Sequence, residues 1–90
     1  MNNNNLIKRH IVNLKMIGNR IRFLRINYTN LSQEDFAQTL GFDRTYISRI
    51  EVGKQNVTVE TLIKICEKGL KISMEDFFNF DKIEIDTMQG

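Results

Sequence analysis

The sequence predicts an all-α fold, a compact bundle of five short helices, on three observations. Proline is absent and only five glycines occur in 90 residues, so few positions oppose helix formation. Apolar residues recur at three- and four-residue steps over most of the chain. One start pattern also repeats four times: an apolar residue, a capping oxygen, and a second apolar residue five positions after the first. It is read at Leu31-Ser32-Phe36, Phe42-Asp43-Ile47, Val57-Thr58-Leu62 and Ile72-Ser73-Phe77.

The elements follow in order. Residues 1–13 form an N-terminal segment whose asparagine run has nothing to bury and is expected to fray, with Leu6 to Asn13 as a helical extension or a partly disordered lead. Leu14, Ile17, Ile21 and Leu24 place helix 1 at Leu14 to Asn27, although Gly18 weakens it, and Asn27 to Asn30 reads as a turn. Ser32 caps helix 2, Gln33 to Leu40, which buries Phe36, Ala37 and Leu40. Gly41 supplies a left-handed turn residue, a conformation that is costly for a side chain with a Cβ.

Asp43 is expected to cap helix 3, Arg44 to Val52, with Ile47 and Ile50 as its buried stripe. Helix 4 starts at Thr58 and ends near Leu70, with either Gly69 or Lys71 at its C-cap, and helix 5 starts after Ser73. Residues 14–80 make one domain. Residues 81–90 are a tail in which Ile83 and Ile85 alternate too briefly to define a strand.

A chain of this length supports a single core, with no room for a separate ligand-binding domain, so regulation is expected to act through concentration or partners. Cys66 is the single cysteine; lying on a helical face with Leu62 and Ile65, it reads as a buried thiol in a reducing compartment. No apolar run reaches membrane-spanning length and the N-terminus lacks a signal-peptide pattern, which predicts a cytoplasmic protein with no membrane partner. Catalysis and metal binding have no support, because His10 and Cys66 cannot form a ligand set and no phosphate-cradling glycine loop occurs.

Charge is uneven. Residues 1–33 carry Lys8, Arg9, Lys15, Arg20, Arg22 and Arg25 with no acid, whereas residues 59–90 have four bases and seven acids. Such a dipole suits a protein with one end on phosphate and the other toward a partner or solvent; a solvated basic face on helix 1 would give the same charges.

Helices 2 and 3, with the glycine turn between them, have the sequence form of a DNA-reading helix-turn-helix. Arg44 and Thr45, at the start of helix 3, are the expected direct readers: arginine donates twice to guanine, and threonine bonds a base edge or touches a thymine methyl. Tyr46, Ser48 and Arg49 complete the reading face, within reach of bases, sugars or adjacent phosphates. Gln33, Lys54, Gln55, Asn56, Thr58 and Thr61 are expected on phosphates, Gln33 because its amide and the helix start can both face one.

The segment from Ser32 to Gly53 resembles the Xre/Cro-type helix-turn-helix family, whose fold is the lambda-repressor-like DNA-binding domain. Gln33 stands where that family has a phosphate-contacting glutamine, and Ile50-Glu51 where it has an Ile-Glu pair. Within it, DRTYISRIE, Asn56-Val57-Thr58 and Phe77-Phe78 look most like the controller proteins of restriction–modification systems. Val52 and Gln55 depart from that pattern, where arginine is common, and the turn before helix 2 is about one residue longer.

The resemblance implies a homodimer on a palindromic double-stranded DNA operator, activating at low occupancy and repressing at high occupancy. RNA polymerase would be a further partner, with no cofactor, metal or small-molecule ligand. A phage-type repressor, the antitoxin of a toxin–antitoxin pair, and a protein-interaction module that has lost DNA are the competing readings. Family register also implies an Arg25–Glu51 bridge between helices 1 and 3.

Helices 4 and 5 carry more apolar surface than one core requires, which points to a dimer face at Ile63, Leu70, Phe77 and Phe78. Phe77 and Phe78 diverge by about 100° on a helix, so one can enter the core while the other needs cover. That cover is a second copy, or Phe80, Ile83 and Ile85 folding back.

Overall fold

The computed structural model describes residues 3–79, and within them the chain is helical with no strand. Five helices follow in order: α1 Asn3–Leu24, α2 Gln33–Leu40, α3 Arg44–Glu51, α4 Val59–Lys64 and α5 Met74–Phe77. Two of them run on into wider π-helical turns, α1 through Arg25–Thr29 and α4 through Ile65–Leu70.

Helix α1 departs from expectation at both ends. It begins at Asn3 rather than Leu14, because an unbroken run of helix-compatible residues continues the apolar rhythm of Ile7, Ile11 and Leu14 backwards. It also runs past the expected turn at Asn27 to Thr29 before Asn30, at φ 59°, reverses the chain. The extra residue counted in this connection is taken up by the π turn, which fits one more residue into a helical turn. Thr29 Oγ1 donates to the Arg25 carbonyl at 2.6 Å and accepts from the Leu31 N–H at 3.0 Å, closing the turn locally.

The capping grammar is realised at three of its four sites. Ser32 accepts from the Asp35 N–H (3.1 Å), Thr58 from Thr61 (3.1 Å) and Ser73 from Asp76 (3.0 Å). Asp43 occupies the N-cap position of α3 with extended backbone, but its side chain makes no capping bond. An exposed carboxylate keeps water as an alternative partner, so the loss is only on the order of 1 kcal/mol. Gly41 closes α2 at φ 73°, with Gly41 N–H donating to Gln38 (3.1 Å) and Phe42 N–H to Ala37 (2.8 Å), the paired bonds of a Schellman turn. Lys71, at φ 61°, closes the second π turn, so Gly69 lies inside the helix with its backbone against the Phe36 ring.

One core joins all five helices through Ile21, Leu24, Phe36, Ala37, Leu40, Ile47, Ile50, Leu62, Ile65, Cys66, Leu70 and Phe77. Leu70 and Phe77, expected at a partner surface, are buried here as members of this single core. Phe78 is 52% exposed, so the divergence of the two rings divides them between core and surface. The alternative cover by Phe80, Ile83 and Ile85, and the tail of residues 81–90, lie outside the described residues.

Arg20 ties the last helix down. Its guanidinium is buried and donates through Nε to the Phe77 carbonyl at 2.7 Å, and through Nη2 to those of Asp76 (3.2 Å) and Asn79 (3.1 Å). It thus satisfies carbonyls at the end of a four-residue helix that could not hold itself.

Candidate nucleic-acid interface

Helix α3 is placed by its far end. Gly18 of α1 lies so close beneath it that an added Cβ would overlap the Ile50 carbonyl oxygen, and Glu51 backbone atoms crowd the same point. The glycine that weakens α1 locally is what lets α1 and α3 touch backbone to backbone. Beside this crossing, Arg25 grips Glu51 by two parallel bonds, Nε to Oε2 at 2.7 Å and Nη2 to Oε1 at 2.9 Å, with the pair almost wholly buried. Arg25 Nη1 donates to the Leu31 carbonyl at 2.8 Å, and Gln33 Nε2 donates to Glu51 Oε1 at 3.0 Å.

The π turn of α1, the entry to α2 and the end of α3 therefore meet on a single carboxylate. The Arg25–Glu51 bridge implied by family register is present. Gln33, expected on phosphate, is also part of the frame, although its amide keeps a second N–H.

With its C-terminal end fixed, α3 presents its N-terminal turn outward. Arg44 and Thr45 are exposed, and neither side chain makes a hydrogen bond among the described residues. Tyr46 is half-buried, its ring edge-on to Phe42 at 5.0 Å, and Lys64 Nζ sits 4.7 Å over that Phe42 ring. The tyrosine ring braces the turn against the core, which sequence reasoning did not anticipate. Ser48 is half-buried one turn from Arg44.

Arg49 turns toward the α3–α4 loop, donating through Nε to Gln55 Oε1 and through Nη2 to the Lys54 carbonyl, both at 3.3 Å. Arg49, Lys54 and Gln55 thus form one cluster at the far end of the reading face, with Arg49 and Lys54 exposed and Gln55 half-buried. Asn56 is exposed beside it. Thr58 spends its hydroxyl on the start of α4, accepting from the Thr61 N–H and donating to Thr61 Oγ1 at 3.0 Å, which leaves the Thr61 hydroxyl proton to face outward.

The candidate interface is an edge of outward donors: Arg44 and Thr45 first, Ser48 and Arg49 a turn later, then Lys54 to Asn56. No cluster of His, Cys, Asp or Glu among the described residues could hold a metal ion, and no described helix is long and apolar enough to cross a membrane.

Comparison with known proteins gives a consistent picture. A helix-turn-helix family model matches residues 24–77. Control protein C.MunI of Mycoplasma sp is 47% identical over 62 residues, covering 69% of this chain and 82% of that protein. Control protein C.BamHI of Bacillus amyloliquefaciens is 37% identical over 68 residues, covering 76% and 83%. The crystal structure of the wild-type restriction–modification controller protein C.Esp1396I superposes with a TM-score of 0.69 at 38% identity, covering 80% of this chain and 92% of that one.

Proposed function

Because the chain belongs to the helix-turn-helix family, as a DNA-binding regulator of the restriction–modification controller type, we propose that it acts as a homodimer on a palindromic operator. There it governs restriction–modification genes in the cytoplasm, activating at low occupancy and repressing at high occupancy, with RNA polymerase as the partner through which activation runs. The observation that carries this reading is the outward first turn of α3, with Arg44 and Thr45 unengaged while the opposite end is locked by Arg25, Gln33 and Glu51. A helix end fixed by buried polar bonds holds its readers rigidly, so little ordering is left to be done on binding.

Each side chain has a role in the proposal. Arg44 donates to guanine O6 and N7, and Thr45 contacts the neighbouring base. Ser48 and Arg49 contact the next base or its phosphate, and Tyr46 sets the height of the turn and lends its hydroxyl. Gln33, Lys54, Gln55, Asn56 and Thr61 fix register on phosphates, with Thr58 acting through the cap it forms.

The dimer face is Ile63 with Phe78, joined by Val59 one turn before Ile63; Val59 is 70% and Ile63 38% exposed. A two-fold axis there sends both α3 helices to one side of the dimer, toward half-sites about 10 base pairs apart.

Selection from a randomised duplex pool by the purified chain, with stoichiometry by sedimentation, tests this reading. The expected product is an inverted repeat with two chains per duplex. Enrichment of an asymmetric site held by one chain would overturn the homodimer and its operator.

A further inference from the structure

Between α1, the start of α2 and the end of α3 lies an open groove of about 530 Å3, lined by Lys15, Asn19, Arg22, Gln33, Glu51 and Val52. Lys15, Asn19 and Arg22 stand at i, i+4 and i+7 on α1, so they form one row on its surface. Neither the Lys15 nor the Arg22 side chain makes a hydrogen bond or ion pair among the described residues. The acid in the groove is already matched: Glu51 Oε2 receives Arg25 Nε, and Oε1 receives Arg25 Nη2 and Gln33 Nε2. What the groove offers a ligand is therefore positive: two cations, the Asn19 amide and the second N–H of Gln33.

From this geometry we infer that the groove is a second DNA contact, holding the phosphate backbone through Lys15, Asn19 and Arg22 of α1 beside Gln33. The inference rests on the DNA-binding reading above and extends it to a helix that carries none of the readers. Lys15 and Arg22 are about 10 Å apart along the helix axis. Charges on one DNA strand recur about every 3.4 Å of duplex axis, so the two cations meet different phosphates of one strand. Gln33 marks where this path joins the reading face, since α2 and the end of α3 flank the same groove. Lys8, seven residues before Lys15 and exposed, continues the row outward. A macromolecular polyanion fits an open groove with a continuing row better than a small anion, which would leave Lys8 and the far rim unused.

The test is the salt dependence of affinity. Fluorescence anisotropy with a labelled duplex, selected by the wild-type chain from a randomised pool, is followed from 50 to 250 mM KCl for the wild type and for Lys15→Gln/Arg22→Gln. Each phosphate contact contributes about 0.9 to the slope of log K against log [salt]. The double variant should lose about 1.8 per chain and each single variant about half of that, with base preference unchanged. Lys15→Arg/Arg22→Lys should restore the slope.

The variant Lys68→Gln/Lys71→Gln, equal in net charge but altered at exposed lysines that do not line the groove, should keep the wild-type slope. A wild-type slope retained by Lys15→Gln/Arg22→Gln, or an equal loss in the Lys68/Lys71 variant, would overturn the groove contact while leaving DNA binding intact. A wild type with no salt-dependent affinity for any duplex would overturn both readings.

Discussion

Arg25 and Glu51, 26 residues apart, meet edge to edge beneath α3, with two bonds of 2.7 and 2.9 Å and the Glu51 side chain buried. Taking two charges out of water is costly, and breaking such a pair leaves one of them unmatched, at a cost of about 3–5 kcal/mol. Glu51→Ala is therefore expected to lower unfolding stability by about that amount. Adding Arg25→Ala should cost much less than a second such loss, because the orphaned charge goes with it. Urea titration of both single variants and the double variant measures the coupling, and additive losses would show that the two residues act independently.

Gly18→Ala separates two opposing effects. Alanine improves the intrinsic helix preference of α1 by about 1 kcal/mol. Its methyl group would overlap the Ile50 carbonyl, which belongs to backbone and cannot swing aside, and overpacking of this kind costs about 1–3 kcal/mol or more. The expected net result is destabilisation with weaker operator binding, since relief of the clash pushes α3 away from α1. A more stable variant would contradict the close crossing.

Phe77 and Phe78 should respond differently to the same change. Phe77→Glu buries a charge in the core and is expected to unfold the chain. Phe78→Glu should give a folded monomer with reduced operator affinity, because half of a two-site interaction binds weakly. Sedimentation and circular dichroism at micromolar concentration distinguish the outcomes; a folded Phe78→Glu that remains dimeric would move the interface elsewhere.

The repeated capping pattern and the Gly41 turn made α2, α3 and the starts of α4 and α5 readable from sequence, because local side-chain-to-backbone bonds at Ser32, Thr58 and Ser73 set three of those starts and the left-handed Gly41 sets the turn into α3. The ends of α1 were not readable: Asn2 to Asn5 offer several equivalent starts in sequence, and at the other end the π turn at Arg25–Thr29 is accompanied by Arg25 contacts to Glu51 and Leu31 that are remote or outside the helix. The reading face was legible as a set of residue types. The bracing role of the Tyr46 ring and the pairing of Arg49 with the next loop depend on neighbours that only the folded chain brings together. Arg20 counted as one more base in a basic segment, and nothing local signals that it closes the end of α5 some 57 residues away.

Burial, and secondarily the negative charge of Glu67, push the Cys66 thiol up from 9.0 to about 11. The folded state thus holds this proton more tightly than the unfolded chain. The corresponding stability is fully present below about pH 9 and is lost as pH rises toward 11. Urea midpoints from pH 8 to 11 should fall more steeply for the wild type than for Cys66→Ala, which has no thiol to ionise. Parallel curves would show that the thiol is more accessible than its packing implies.

The claim that the first turn of α3 reads bases is tested most directly by Arg44→Ala, measured side by side on the selected operator and on random duplex at fixed salt. Loss of a two-bond guanine contact predicts about 1–3 kcal/mol weaker operator binding per chain, relaxed preference at one symmetric base position, and nearly unchanged affinity for random DNA. Equal losses on both duplexes would place Arg44 on phosphate and contradict the account of recognition given by the fold.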